Sequence, residues 1–315
     1  MARILVTGGA GFIGSNLVHA LLARGDEVVV LDNFSTGRRE NLAEVLHRIK
    51  LVEGSIADPA AAREALVDVD GVLHQGALPS VPKSLAMPLE TNLANIVGTL
   101  TMLETCRQMG VGRFVYAASS SAYGDHDAAV KTESLEPRPK SPYAVQKLTG
   151  EYYCSVYHEL FGIKTVALRY FNVFGPRQNP NSQYAAVVPA FATRILRGEA
   201  PIVFGNGEQS RDFTHIDNVI AANFAALNAQ GDACGQVYNV GCGGSITLLD
   251  LIQAINDILG TNVAPRFESP RAGDVLHSLA DVSRTRQYLG YEAKVDLRQG
   301  LERTVDWYRS SEIFG

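Results

Sequence analysis

The sequence predicts an α/β fold: a doubly wound parallel sheet covered by helices on both faces, joined to a smaller, discontinuous α/β lobe. Three observations carry this. Short β-branched runs alternate with helical stretches through the first half of the chain. A glycine-rich turn joins the first of these strands to the first helix. After "FGPRQNPNSQYAAVVP" (174–189) the alternation stops, and short mixed elements follow.

Taken in order, "ARILVT" (2–7) and "DEVVVLD" (26–32) read as strands ended by glycine or acid, and "SNLVHALLARG" (15–25) between them has helical periodicity with Gly25 as its stop. Strand, helix and strand within about thirty residues make a βαβ unit. The rhythm repeats through "IKLVEGS" (49–55), "AAAREALVD" (60–68), "GVLHQGA" (71–77), the long helical "LETNLANIVGTLTMLETCRQMG" (89–110) and "GRFVYAASS" (112–120). A helix after Ser141 and the strand "KTVALRYFNVFG" (164–175) complete the series. Strands spaced by helices of this length demand a parallel sheet. The later "APIVFGNGEQSRDFTHIDNV" (200–219), "QVYNVGCG" (236–243) and helices near 247–259 and 297–309 suggest a division into a nucleotide-binding unit at 1–172, with a segment returning at about 213–241, and a substrate lobe from 173–212 and 242–315. Ligand is then expected between the lobes, at the C-terminal ends of the strands.

Bulk composition narrows the function. The chain has 315 residues, 46% of them hydrophobic, and a net charge of −5, enough to bury a large core. No apolar run approaches the roughly 20 residues that span a bilayer, and "MARILVTGGAGF" has no secretory character, so a cytoplasmic protein without membrane attachment is expected. The four cysteines and seven histidines are scattered without metal-ligand spacing, which predicts no metal. "GRR" (37–39) is the one short basic cluster near a possible ligand site, so nucleic acid is not an expected partner.

"TGGAGFIGS" (7–15) sets Gly8, Gly11 and Gly14 three apart at the first strand-to-helix turn. Gly8 suits the tight turn, Gly11 a close backbone approach to a diphosphate, and Gly14 the packing of helix on strand, while the N–H groups of Phe12 and Ile13 open the helix toward the anion. This is the form of a Rossmann-type dinucleotide site. Asp32, at the end of the second strand, suits the hydroxyls of an adenosine ribose and would repel a 2′-phosphate, which favours NAD over NADP; Arg38 and Arg39 stand nearby. Asn33, Ser35 and Thr36 of "DNFSTG" (32–37), with Gly37, add contacts around ribose and adenine.

"SPYAVQK" (141–147) sets a phenol and an ammonium one turn apart. Ser141 and Pro142 make an N-cap and a first helical residue, so Tyr143 sits in the first turn with Lys147 above it on the same face. A strand ending "AASSSAYG" (117–124) brings hydroxyls to the same sheet edge. Positive charge on Lys147 and on a bound nicotinamide would lower the Tyr143 pKa and make it a base. Ser119 and Ser121 share a face if the strand continues with period two, and Ser120 suits a backbone group at the strand end.

These motifs, with "RYFNVFGPRQ" and "RDFTHIDN" in the same order, resemble the extended short-chain dehydrogenase/reductase family from the glycine loop to the final helix, and within it the UDP-hexose 4-epimerases. The resemblance implies that Tyr143 takes the proton of the sugar 4-OH while C4 passes a hydride to NAD, and that the 4-keto sugar turns over and receives the hydride on its other face. Counting back from "YG", Ser119 matches the family's catalytic hydroxyl. Dehydratases of the family carry Asp-Glu after that position, whereas here Ser120-Ser121-Ala122 follow, so elimination lacks its acid.

The same resemblance implies that Ser55, Ile56, Gln75, Gly76, Ala77 and Tyr170 line the cofactor and that Phe171 packs by the nicotinamide. Ser55-Ile56 stands where relatives often have Asp-Ile, with Asp58 displaced. Ser80, Ser84 and Asn92 are expected at the sugar pocket, Asn92 at its cofactor side, together with Ser119, Ser120 and Ser121. Asn172, Arg211 and Arg271 are expected at the substrate diphosphate, Ala186 and Val187 at uridine, and Asp274 at its hydroxyl side. "LPSVPKS" (78–84), "SSSAYGDH" (119–126), Gln178 and a small Ser278, where glucose-restricted relatives have an aromatic, resemble the UDP-N-acetylglucosamine branch. A UDP-glucuronate 4-epimerase and a non-catalytic dinucleotide-binding regulator are the competing readings. Homodimerisation is implied through helices 89–110 and 143–161, by way of Val97, Leu100, Leu103, Tyr152 and Val156.

Overall fold

The structure is a computed structural model that describes residues 1–180, 186–269 and 276–311. Its first half runs β1 (Arg3–Thr7), α1 (Phe12–Arg24), β2 (Glu27–Asp32), β3 (Ile49–Glu53), α2 (Pro59–Ala65), β4 (Gly71–His74), α3 (Val81–Ala86), α4 (Pro88–Asn92), α5 (Gly98–Met109), β5 (Arg113–Ser119), α6 (Pro142–Phe161) and β6 (Lys164–Tyr170). Then follow β7 (Val173–Phe174), α7 (Val187–Leu196), β8 (Ile202–Phe204), β9 (Ser210–Arg211), β10 (Thr214–His215), α8 (Ile216–Leu227) and β11 (Gln236–Val240). The chain ends with β12 (Ile246–Thr247), α9 (Leu248–Leu259), β13 (Arg266–Glu268), β14 (His277–Ser278), α10 (Ser283–Leu289) and α11 (Leu297–Ser310).

Seven strands form one parallel sheet in the order β3-β2-β1-β4-β5-β6-β11, a Rossmann-like arrangement. Strand side chains alternate between faces. Ile4, Val6, Val28 and Val30 therefore join one apolar cluster with Leu17 and Leu21 of α1, whereas Leu5, Val29 and Leu31 join a second with Met102 and Leu103 of α5. Burial on both faces is why these strands read as continuous apolar runs. A third cluster, from Phe191 and Ile195 of α7, Leu251 and Ile255 of α9 and Leu301 and Val305 of α11, lies apart from the sheet.

The predicted strand 164–175 divides at Asn172, whose backbone has φ 28°; β7 leaves the sheet and pairs with β10 instead. Helix α1 begins three residues before the predicted start because Gly11 takes the N-cap position. The predicted long helix 89–110 widens into a π-helical stretch at Leu93–Val97. Within it, buried Asn95 accepts from Leu78 N at 2.8 Å and donates to Leu78 O at 3.3 Å and Gln146 Oε1 at 2.8 Å. That wide turn fixes the loop after β4, a use of π-turns common beside functional sites. Periodicity does not predict α3, α7, α8 or α10.

Candidate active site

The order of the sheet reverses between β1 and β4, and a cleft of about 1020 Å³ opens along the C-terminal ends of the strands there. The glycine loop forms one wall. Gly8 has φ 65°, and a Cβ on it would lie 2.8 Å from Gly76 Cα, so the loops after β1 and β4 touch backbone to backbone. No side chain caps α1, whose first N–H groups face outward, and Gly11, Phe12, Ile13 and Gly14 line the cleft. Here a cradle that side chains would fill meets an open helix N-terminus, which suits a diphosphate.

Beneath this wall runs a buried polar column. Thr7 Oγ1 accepts from Gly76 N at 3.0 Å and pairs with His74 Nδ1 at 2.9 Å, and His74 Nε2 reaches Thr99 Oγ1 at 3.1 Å. Burial, then the nearby charge of Lys147, push the His74 pKa down to about 3, so the imidazole is neutral.

Asp32 closes the adenosine end. Its carboxylate accepts from Ala10 N at 2.9 Å and Phe34 N at 2.7 Å, which fixes its plane while it still lines the cleft. Burial raises its pKa, and the two backbone hydrogen bonds work against that rise. Asn33, Ser35, Thr36, Ser55 and Ile56 line the same end, and Gln75, Gly76, Ala77 and Tyr170 the middle. Tyr170 Oη receives Gln75 Nε2 at 3.2 Å and Asn223 Nδ2 at 2.8 Å, so the end of β6 is tied to β4 and α8.

At the far end, Ser141 caps α6 by accepting from Ala144 N at 3.2 Å, and Pro142 takes the first helical position. Tyr143 shares the cleft wall with Ser119, at the end of β5, whose hydroxyl acts to lower the phenol's pKa, and Ser119 Oγ accepts from Ser121 Oγ at 2.9 Å. Lys147 is buried and donates to Ala117 O at 2.7 Å. Burial lowers its pKa to about 8, with Glu151 acting in the other direction. Burial raises the Tyr143 phenol, against the opposing influence of the Ser119 hydroxyl. The protein's own groups thus hold the phenol up, and the expected lowering must come from positive charge brought beside it. Ser119, Tyr143 and Lys147 all line the cleft, as do Ser80, Gln178 and Ala186.

Several expected residues are used elsewhere. Ser84 is fully buried, donating to Val81 O at 2.7 Å and accepting from Tyr143 N at 3.1 Å, so it holds the first turn of α6 rather than a sugar. Asn92 lies off the cleft wall, and its neighbour Ala94 takes that place. Phe171 is buried in a cluster with Tyr123 and Ala280. Asn172 donates to Asp212 O at 3.0 Å, and Gly37 packs on Ala10 and the Asp32 carboxylate. Ser120 and Ser121 turn into a short 3₁₀ segment after β5, which leaves Ser119 as the serine of the three on the wall. Val187 begins α7 just behind Ala186. Arg211 donates to Ser210 O and Leu276 O, and Ser278 pairs with it across β9 and β14; neither lines the cleft. Arg271 and Asp274 lie outside the described residues.

Sequence reasoning missed Lys83, Met87, Val173, Arg177 and Asn179, which also line the cleft. Arg177 takes a left-handed backbone, φ 68°, and donates to Asn16 Oδ1 at 3.1 Å; its place in "GPRQ" was the available signal. Among the described residues no group of three or more His, Cys, Asp or Glu could hold a metal, and no helix is long and apolar enough to cross a membrane.

The chain matches known proteins over nearly its whole length. A UDP-glucose 4-epimerase of Mycolicibacterium smegmatis is 37% identical over 98% of this chain and 99% of that protein. The solved structure of a UDP-N-acetylglucosamine 4-epimerase from Methanobrevibacter ruminantium in complex with UDP-N-acetylmuramic acid superposes with a TM-score of 0.93, at 38% identity and 98% coverage of both chains. That of a Thermus thermophilus UDP-glucose 4-epimerase complexed with NAD gives 0.90, at 37% identity over 98% of this chain and 99% of that one. Residues 4–241 match the family model of the "NAD dependent epimerase/dehydratase family". With the glycine cradle, Asp32 and the Tyr143–Lys147 helix in one cleft, the chain belongs to that NAD-dependent family.

Proposed function

We propose that the protein inverts C4 of UDP-hexoses, with the UDP-N-acetylglucosamine/UDP-N-acetylgalactosamine pair favoured and UDP-glucose/UDP-galactose also accepted. One observation carries this: the sugar end of the cleft offers a buried ammonium, a phenol and the Ser119 hydroxyl but no carboxylate, since Asp32, at the adenosine end, is the one acid among the described lining residues. Such a site moves a hydroxyl proton and has no general acid to expel a leaving group.

In this reading Gly8, Gly11, Phe12, Ile13 and Gly14 hold the cofactor diphosphate and Asp32 the adenosine ribose. Bound NAD supplies a reversible acceptor for the hydrogen on C4. Tyr143 takes and returns the 4-OH proton, Ser119 steadies that oxygen, and Lys147 stabilises the phenolate. Gln178 and Ser80, with Asn179 beside them, present polar contacts toward the sugar, and the 173–212 and 242–315 segments form the substrate lobe. The apolar residues Val97, at the end of the π-helical stretch before α5, and Tyr152 and Val156 of α6 are exposed, which supports a homodimer through those helices, while Leu103 belongs to the core.

UDP-glucuronate is the second reading, favoured by Lys83, whose ammonium stands at the cleft but already pairs with Glu90 at 3.2 Å. The test is to incubate the protein with each of UDP-N-acetylglucosamine, UDP-glucose and UDP-glucuronate and resolve the products by NMR. Fastest C4 inversion of the N-acetylated sugar is the expected result. Inversion of UDP-glucuronate alone would favour the second reading, and no conversion with NAD supplied would refute both.

A further inference from the structure

Helix α6 carries three functional groups at four-residue spacing, Tyr143, Lys147 and Glu151, so each stands one turn above the last on the same face. Lys147 and Glu151 are both almost fully buried. A buried ammonium needs a compensating charge or it discharges. Among the described residues, Lys147 donates to a neutral carbonyl, Ala117 O at 2.7 Å. The other groups around it supply no anion near neutral pH. From β5 the Tyr116 ring faces the ammonium at 5.0 Å, with its phenol held far above its ordinary pKa by burial. From β4 comes the neutral His74, and from α6 itself the Cys154 thiol, which burial also pushes up. Glu151 is the remaining candidate.

Glu151 does not touch Lys147. Arg169 of β6, also buried, grips both of its carboxylate oxygens, Nε to Oε1 at 2.9 Å and Nη2 to Oε2 at 2.7 Å. The guanidinium is itself held 4.6 Å above the Tyr123 ring, whose hydroxyl donates to Asn239 Oδ1 at 2.7 Å. Two cations and one anion are thus buried together, and the carboxylate has a choice of partners. The fork, which binds carboxylates in two parallel hydrogen bonds, decides it.

We propose that Glu151 is a positioning residue that keeps Lys147 charged from one turn away, and that the Arg169 fork holds Glu151 in place so that it does not draw the ammonium off Tyr143. Together the triad carries an excess of one positive charge, which the Tyr143 phenolate balances when it forms. The inference deepens the proposed epimerase reading and rests on it only for its kinetic consequence.

The two partners have opposite signatures. In Glu151→Gln the amide still accepts from Arg169 but the negative charge is gone, so Lys147 loses its proton at lower pH. In Arg169→Met the carboxylate is released to Lys147, which then holds its proton to higher pH. The measurement is the titration of the Lys147 ε-carbon by NMR on lysine-labelled protein saturated with NAD, with the signal assigned by its loss in Lys147→Arg. Midpoints displaced by about one pH unit in opposite directions are expected. Arg169→Lys, which keeps the charge but not the fork, gives a smaller upward displacement and serves if Arg169→Met does not fold. Midpoints that stay put, or that move together, would reduce the pair to a tie between α6 and β6 and overturn the inference. Turnover of UDP-N-acetylglucosamine by the same proteins separates the two claims: if the wild type is inactive but the midpoints split, the function falls and the triad stands. Where turnover is present, its loss at alkaline pH sets in earlier in Glu151→Gln.

Discussion

Replacing Gly14 by alanine tests whether the glycine cradle binds the cofactor. A Cβ built on Gly14 falls 2.0 Å from Gly8 O, 2.7 Å from Gly8 C and 2.8 Å from Gly9 Cα, all backbone atoms that no rotamer change can move. Reaching ordinary contact near 3.4 Å requires the first turn of α1 to retreat from the β1 loop by about 1.4 Å. Overpacking of this kind costs about 1–3 kcal/mol. The displaced atoms are the N–H groups of Phe12 and Ile13, so the same movement misaims the donors meant for the diphosphate. A weakening of NAD binding by roughly tenfold or more is expected, since about 1.4 kcal/mol is a factor of ten, with the melting temperature lowered by about 2 °C or more. Calorimetric titration of NAD and a thermal melt measure both. Gly112→Ala is the control, because a Cβ added there would meet nothing within 4 Å and its backbone is unstrained. If Gly14→Ala bound NAD and melted like Gly112→Ala, the packing argument for the loop would be refuted.

Four further outcomes are expected. Tyr143→Phe should bind NAD normally and lose about 10²–10⁴-fold in C4 inversion, the usual worth of a general base; a near-normal rate would remove Tyr143 from the mechanism. Ser278 pairs with β9 and stands off the cleft wall, so Ser278→Tyr should leave the preference between the N-acetylated sugars and UDP-glucose unchanged, and a selective loss of the N-acetylated pair would instead make β14 a size gate. Tyr152→Lys with Val156→Glu should convert a dimer to a monomer in light scattering; an unchanged mass would move the interface elsewhere or exclude it. His74 predicts a pH dependence of stability. Its folded pKa of about 3 lies below its ordinary value of 6.5. Between those values the unfolded chain binds the proton and the native one does not, so stability is present above pH 6.5 and falls as the pH drops toward 3. One proton corresponds to at most ~1.4 kcal/mol per pH unit. Urea unfolding at about pH 7 and about pH 5, on either side of the unfolded midpoint, should show His74→Gln losing less stability on acidification than the wild type; equal losses would mean that other groups set the acid limb.

The sheet and the cleft that gathers Ser119, Tyr143 and Lys147 are legible in the sequence because local rules determine both. A glycine at the end of a strand, an acid at the end of the next and a capped Tyr-x-x-x-Lys helix each carry their geometry within a few residues. The parallel sheet then delivers Thr7, Asp32, His74, Ser119 and Tyr170 to one edge, since all five stand at the C-terminal ends of its strands. The residues expected at the nicotinamide and at the substrate diphosphate behave differently. Phe171 and Asn172 continue a strand pattern, but the chain breaks at Asn172, and what lies beyond is turned by pairing with β10, about forty residues later. Periodicity carries no information about that partner.

Illegible for the same reason are the polar groups that support the site from behind. Thr7, His74 and Thr99 read singly as ordinary strand and helix residues, yet they form one column under Gly76. Ser84 and Asn95 look like ligand contacts or surface positions; one accepts from the N–H of Tyr143, and the other accepts from Leu78 N and donates to Leu78 O. Glu151 and Arg169 are eighteen residues apart and meet only because α6 packs beside β6. Each of these side chains is buried and hydrogen-bonded, with Nη1 of Arg169 alone among their polar atoms lacking a partner. Stranding a buried partner costs about 1–3 kcal/mol. Replacements among them should therefore reduce stability and turnover together, whereas changes to Ser119 or Tyr143, which face the cleft, should reduce turnover alone.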